Sequence, residues 1–250
     1  MIIDAHAHVG PDIADPLTRR KVEAIPGGTV EDYIRDMDEA GIDMGVVFGR
    51  LDMNNEYLAK AQREYPDRII SCAFINPKAE NPIEEFKKCV YDWGMRGLKL
   101  NGLRHSYPYS DHELLDPLLE ICSENDLPVI MHCSGDNFMT TPVQIEEMAK
   151  TFPKVKFIAA HGGNLWLAEE GTQVSSRTKN VIMDTSLMEE FRITHNSKVL
   201  DKGNLVMGSH WPFYNLIAIK DKVARCVQDE DTLEWVRGKA IAEIFHINYK

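Results

Sequence analysis

Eight short, apolar, β-rich runs recur along this chain, and each is followed by a stretch with helical periodicity. The runs are Ile2–His6, Gly45–Gly49, Arg68–Ile75, Arg96–Asn101, Pro128–His132, Lys156–His161, Asn180–Ser186 and Asn204–Ser209. Start signals mark several of the helices between them. Thr29-Val30-Glu31-Asp32 resembles a capping box, opening a helix that ends near Gly41. Pro82 and Pro142 stand in the first turns of helices reaching about Trp93 and Phe152. Over His112–Asn125, Leu114, Leu115, Leu118, Leu119 and Ile121 fall at helical spacing. Strand–helix repetition without a break in composition implies parallel strands joined by crossover helices. Eight such units in 250 residues predict a (β/α)8 TIM barrel, an α/β fold. A doubly wound open sheet is the competing architecture, disfavoured because no glycine-rich phosphate loop follows the first run. No linker interrupts the pattern, so residues 1–250 are expected to form a single domain.

At 44% hydrophobic residues the chain can fill such a core. Its formal net charge of −11 argues against nucleic acid or an anionic membrane as partner, since both require a basic footprint. A small anionic substrate stays compatible, because one local Arg or Lys overrides the global sign. The longest apolar runs are too short to span a bilayer, and the N-terminus lacks the basic and long apolar regions of a signal peptide. Five scattered cysteines suit a reduced, cytoplasmic setting in which thiols act as small core residues. Cys133 is the exception to watch, because it follows His132. A homo-oligomer is plausible for a barrel of this size.

Chemistry collects where strands end. In a TIM barrel the site forms at the C-terminal ends of the strands, and five of the nine histidines fall there: His6, His8, His132, His161 and His210. Strand alternation predicts Asp4, His6 and His8 on one face, with Ile3, Ala5 and Ala7 on the other. Two imidazoles from one strand can reach one ion, and neutral imidazole suits zinc, with manganese the alternative. Asp4, one pleat deeper, is placed to orient a ligand as an acceptor behind it. A lone His-x-His is weak evidence, and His132 or His161 alone reads more readily as a buried, hydrogen-bonded side chain. Five at convergent strand ends favour one shared site. His105, His112, His195 and His246 fall in loops or helices and read as structural or solvent-exposed.

Lys99 and Asn101 alternate with Leu98 and Leu100 and so face the barrel interior, where Lys99 is an ion-pair partner or a substrate contact. Arg50 after the second run and Arg104 after the fourth lie at the right end to hold a substrate carboxylate bidentately; the alternative for each is a solvated loop arginine. The proline-rich connection from Val9 to Gly28 has the length of a lid, and its Arg19-Arg20-Lys21 segment could attract an anion. Trp211 either walls an apolar pocket or simply packs.

Five stretches together resemble the amidohydrolase-related family, in its aminocarboxymuconate-semialdehyde decarboxylase-like branch. They are Ile3-Asp4-Ala5-His6-Ala7-His8, Gly97-Leu98-Lys99-Leu100, Leu127-Pro128-Val129-Ile130-Met131-His132, Ala160-His161-Gly162-Gly163 and Gly208-Ser209-His210-Trp211-Pro212, with Ala242-Glu243-Ile244-Phe245 as a closing helix. The resemblance implies one divalent metal, usually zinc, on His6, His8 and His132, with His161 as general acid/base. It also implies an aspartate at the eighth strand, a metal ligand and proton acceptor, where this chain has His210. A neutral His210 can ligate a metal or take a proton but supplies no negative charge, which leaves the site net positive and suited to an anion. Asp184, sharing a strand face with Ile182 and Ser186, is the carboxylate able to compensate, although its commoner role is structural. The resemblance therefore implies hydrolysis of a C–O or C–N bond in a small carboxylated substrate. The alternatives are decarboxylation of a small unsaturated or aromatic acid, metal-free lactone hydrolysis, and a catalytically silent small-molecule-binding relative.

Overall fold

Parallel pairing runs through every strand. In the computed structural model, which describes residues 1–10, 28–49 and 54–249, the segments are β1 (Ile3–His8), β2 (Met44–Phe48), β3 (Ile69–Ser71), β4 (Ala73–Phe74), β5 (Leu98–Leu100), β6 (Val129–His132), β7 (Phe157–Ala160), β8 (Val181–Asp184) and β9 (Leu205–Val206). Arg50 and the Arg19-Arg20-Lys21 segment lie outside the described residues. The order is β1-β2-β3 and then β4 through β9. Only Cys72 separates β3 from β4, and the two form one stave: Cys72 donates its N–H to Val47 O while Ala73 donates to Gly97 O. The ring closes where Ala5 donates to Met207 O (2.8 Å) and His8 to Trp211 O (2.7 Å). Nine segments thus make eight staves, the TIM barrel expected.

Most predicted runs shrink by one to three residues at their polar ends. At Asn180 and Asn204 the main-chain carbonyls still accept from Phe157 N (2.8 Å) and Met183 N (2.9 Å), while the side-chain amides donate to neighbouring segments, among them Val155 O (3.0 Å) and Val181 O (2.9 Å) respectively. The first run instead lengthens, so that His8 lies inside β1.

A bulge in β1 corrects the predicted face assignment. Between Asp4 and Ala7, three steps along β1 match two along β2. One extra residue reverses which way the following side chains point. Ile3 and Ala5 join the barrel-interior cluster, and past the bulge His6 and His8 face inward too. Asp4 points the other way, to Tyr33 of α1 (Val30–Ala40), and does not share the histidines' face.

Two apolar layers hold the barrel. Inside, Val46, Ile70, Ile130, Ile158, Ile182 and Val206 stack above Ile241 and Phe245, which close the base. Outside, the alternate strand residues pack on the helices. Thr29 caps α1 by accepting from Asp32 N (3.2 Å), and Gly41 ends it in the left-handed region, where a missing Cβ avoids strain. The predicted starts at Pro82 and Pro142 hold for α3 (Pro82–Lys87) and α6 (Pro142–Thr151), and α5 (His112–Glu124) buries Leu115, Leu118, Leu119 and Ile121. All five cysteines are buried, and burial pushes the Cys133 thiol up, away from nucleophilic character. Among the described residues no helix is long and apolar enough to cross a membrane.

Candidate metal centre

His6 is the middle of the site. Its ring centroid lies 5.2 Å from His8, 4.9 Å from His161 and 5.1 Å from His210, and His161 is in turn 4.8 Å from His210 and 5.1 Å from His132. All five predicted histidines therefore meet at one end of the barrel. Two of them need unusual backbone to do so. Ile158 and Ala160 face inward, so simple alternation would turn His161 outward; a φ of 69° swings it back into the mouth. His210 has a φ of 60°. Left-handed backbone at a non-glycine residue costs on the order of 1 kcal/mol or more and collects at functional sites.

Partners fix the tautomers. His6 Nδ1 lies 2.6 Å from Asp184 Oδ2, and His8 Nδ1 lies 3.1 Å from the carbonyl of Gly49. A carbonyl can only accept, and a carboxylate does the same, so both Nδ1 atoms carry the proton. The two Nε2 atoms, 3.3 Å apart, then face each other with lone pairs. Such a contact is no hydrogen bond; it is a cradle for a cation. His210 completes it, since one ring nitrogen from each of His6, His8 and His210 falls within 4.8 Å of the others. His210 Nδ1 is buried without a hydrogen-bond partner, another nitrogen left for a ligand. Three neutral imidazoles with converging lone pairs fit a borderline-soft divalent ion such as zinc.

His132 stands one ring further out. Its Nε2 is 3.2 Å from Asp136 Oδ2 and its ring adjoins His161, so it sits beside the His6–His8–His210 cradle rather than within it. His161 Nδ1 is 2.8 Å from Ser186 Oγ, and Ser186 hydrogen-bonds in turn to Asp184 Oδ1.

Burial favours the neutral form of four of these rings, His6, His8, His161 and His210. Burial, then the Lys99 ammonium and the neighbouring imidazoles, hold His6 well below the usual histidine range. Burial first and adjacent rings second do the same for His8 and His161, and burial brings His210 down to about 4. Lys99 is buried with its Nζ 4.4 Å above the Phe48 ring, and burial lowers it to about 8 against the pull of Asp184.

The remaining predicted contacts are less direct. Asn101 turns its amide oxygen to Arg104 N (2.9 Å) and caps α4 (Gly102–His105), leaving only its amide nitrogen for a substrate. Arg104 is half-buried in α4 at the mouth end of the barrel. Asp4 does not orient an imidazole side chain. It accepts from Ser209 N (2.8 Å), Ser209 Oγ (2.5 Å), Tyr33 OH (2.8 Å) and His6 N (3.1 Å), tying β1 to the chain after β9. Trp211 packs on Tyr33 and donates to Asp36, the packing role of the two expected for it.

Residues 3–247 match the amidohydrolase family. The chain belongs to that family. No protein of curated function matches it. Among solved structures, this amidohydrolase is similar to an uncharacterised TIM-barrel protein from Bordetella bronchiseptica (20% identity, TM-score 0.79, 98% of each chain covered). It is also similar to 5-carboxyvanillate decarboxylase from Novosphingobium aromaticivorans complexed with manganese and a nitrobenzoic acid (17% identity, TM-score 0.77, 99% of this chain and 96% of the other). A third is a probable 2-pyrone-4,6-dicarboxylic acid hydrolase from Acinetobacter baumannii with citric acid bound (17% identity, TM-score 0.75, 98% and 99%). At these identities the likeness concerns the fold.

Three polar residues of this amidohydrolase stand out only in the structure: Asp184 is the hydrogen-bond hub, Ser186 is the partner of His161, and Asp136 that of His132. The sequence carries part of their signal. Asp184 and Ser186 alternate at a strand's C-terminal end as His6 and His8 do, and Asp136 follows His132 at a reach short enough to fold back.

Proposed function

We propose that this protein is a metal-dependent hydrolase of a small, carboxylate-bearing compound, cleaving a C–O or C–N bond. The observation that carries the proposal is the pair of Nε2 lone pairs from His6 and His8, 3.3 Å apart with His210 beside them. A divalent cation held there, zinc by donor chemistry and manganese as the alternative, would polarise the substrate carbonyl and bring the pKa of water towards neutrality. His161 is the proposed base. Its Nδ1–H is engaged by Ser186, so its free Nε2 receives the proton from the attacking water, and the developing imidazolium is stabilised through Ser186 to Asp184. His210 is the proposed third ligand; left off the ion, its neutral ring would instead be a second proton acceptor, since one lone-pair nitrogen cannot do both. His132 remains a proposed fourth ligand once it exchanges Asp136 for the ion.

Charge selects the substrate class. Neutral rings, a cation and the Lys99 ammonium leave the pocket positive, so an anionic group is favoured. Lys99 at the floor and Arg104 at the rim are the proposed carboxylate contacts, with Asn101 through its amide nitrogen and Arg50 as the fourth candidate from the sequence.

Decarboxylation is the second reading, favoured by the likeness to 5-carboxyvanillate decarboxylase. It requires an acid to protonate the carbon that loses carbon dioxide. Burial pushes His6, His8, His161 and His210 towards the neutral base, which suits water activation better.

Metal content of the purified chain tests the proposal. Stoichiometric zinc or manganese is expected, lost in the His6→Ala/His8→Ala double variant. On a panel of lactones and carboxylic acids, acid release without carbon dioxide supports hydrolysis, and carbon dioxide release overturns it in favour of the lyase. A wild-type chain inert on the whole panel that gains activity as His210→Asp is a silent relative.

A further inference from the structure

We infer that Asp184 is the positioning residue of this centre: one oxygen fixes the tautomer of His6 and the other, through Ser186, that of His161. The inference rests on the assignment of these two histidines to the site given above, but not on a metal being bound.

The two carboxylate oxygens have different company. Oδ1 accepts from the backbone N–H groups of His161 (3.0 Å) and Ser186 (2.9 Å) and from the Ser186 hydroxyl. Backbone N–H groups only donate, so whatever atom occupies this position must be an acceptor. Oδ2 is left facing His6 Nδ1 at 2.6 Å, and the proton of that short contact belongs to the imidazole. The Ser186 Oγ is 3.4 Å from the same Nδ1, too long to compete.

Ser186 passes the constraint on. Its single hydroxyl proton goes to Asp184 Oδ1, so towards His161 Nδ1 at 2.8 Å it can only accept. His161 is therefore protonated on Nδ1 as well. One carboxylate from β8 thus orients lone pairs on β1 and after β7, both towards the mouth. It also places a negative charge one imidazole behind the cradle, where position 210 supplies none. Space is closed around the pair: a Cβ at Gly208 would stand 2.9 Å from His6 Cβ and 3.1 Å from the Asp184 carboxyl carbon.

The test reads protons directly. In the chelator-treated full chain labelled with nitrogen-15 at histidine, long-range proton–nitrogen correlations report which ring nitrogen is protonated. His6 and His161 are expected on Nδ1. In Asp184→Asn the amide oxygen must take the Oδ1 place, because the backbone N–H groups there cannot reverse. Its NH2 then faces His6 Nδ1, and His6 is expected to move its proton to Nε2 while His161 keeps its own. Ser186→Ala gives the opposite pattern: His161 becomes a tautomer mixture and His6 is unchanged. A His6 still protonated on Nδ1 in Asp184→Asn overturns the inference, as does any variant in which both rings change together. Should Asp184→Asn not fold, a wild-type His6 protonated on Nε2, or a Ser186→Ala variant with His161 unchanged, overturns it instead.

A zinc titration separates this from the reading above. Asp184→Asn is expected to weaken zinc about 10- to 100-fold. If the wild type binds no zinc but the tautomers follow the stated pattern, the metal reading falls and the positioning role stands. Zinc affinity unchanged in Asp184→Asn overturns the positioning role.

Discussion

Two buried aspartates, Asp4 and Asp184, differ in what they tolerate, and the difference lies in their partners. Each has one oxygen pinned by two backbone N–H groups. The other oxygen of Asp4 faces the hydroxyls of Ser209 and Tyr33, which can rotate and accept instead, and Ser209 already has His6 O at 3.2 Å as another acceptor. Asp4→Asn is therefore expected to fold with the proposed metal site intact. Asp4→Ala, which strands the backbone N–H groups of His6 and Ser209 and the Tyr33 hydroxyl, should cost about 2–4 kcal/mol, read by urea denaturation. A loss of equal size in both variants would show that the charge, and not the hydrogen bonds, matters there. Lys99 gives a pH-dependent counterpart. Its folded pKa, about 8, lies below the 10.5 of an ordinary lysine, so between pH 8 and 10.5 the native chain binds fewer protons than the unfolded one. Wild-type stability should rise across that window relative to Lys99→Met, which is expected to be the more stable protein below pH 8. Parallel stability curves for the two proteins from pH 7 to 10.5 would contradict this.

Individual elements are tied together by polar clamps that no strand or helix pattern announces. Glu146, buried on α6, accepts from Arg177 at the end of α7 (Ala168–Arg177) at 2.8 and 2.6 Å and from Thr178 at 3.2 Å. The Arg177 guanidinium, followed by Lys150 and Thr178, holds the carboxyl down to about 2. A folded pKa below the unfolded 4.5 means the stabilisation is complete above pH 4.5 and is lost as pH falls towards 2. Glu146→Gln should therefore cost on the order of 1–2 kcal/mol at neutral pH and progressively less in acid, measured by thermal melts at several pH values. The β1 bulge is the other feature that the pattern conceals. Alternation is a reliable guide only while the ladder is regular, and one extra residue between Asp4 and Ala7 separates Asp4 from the histidines it was expected to serve.

At the scale of the whole molecule the proposed metal would also act as a stabiliser. Anything bound only by the native state adds RT ln(1 + [L]/Kd), about 2.7 kcal/mol at a hundredfold excess over Kd. For a chain of 250 residues each kcal/mol raises Tm by roughly 2–4 °C. Zinc added to the chelated protein is thus expected to raise Tm by about 5–10 °C, with no rise in His6→Ala/His8→Ala. An equal rise in that double variant would place the ion elsewhere.

Local periodicity was enough to reveal the barrel. Eight apolar runs alternating with capped helices leave few other ways to bury every strand, and the mouth follows because histidines gather at the C-terminal ends of those runs. What the sequence could not settle depended on geometry between distant residues. Which imidazoles share a cradle, that Asp4 turns away and that Asp184 sets the protons of His6 all depend on a bulge, on left-handed backbone at His161 and His210, and on strand register. Hydropathy encodes which face of an element is buried; the direction of a hydrogen bond across 178 positions of sequence exists only once the ring of strands has closed.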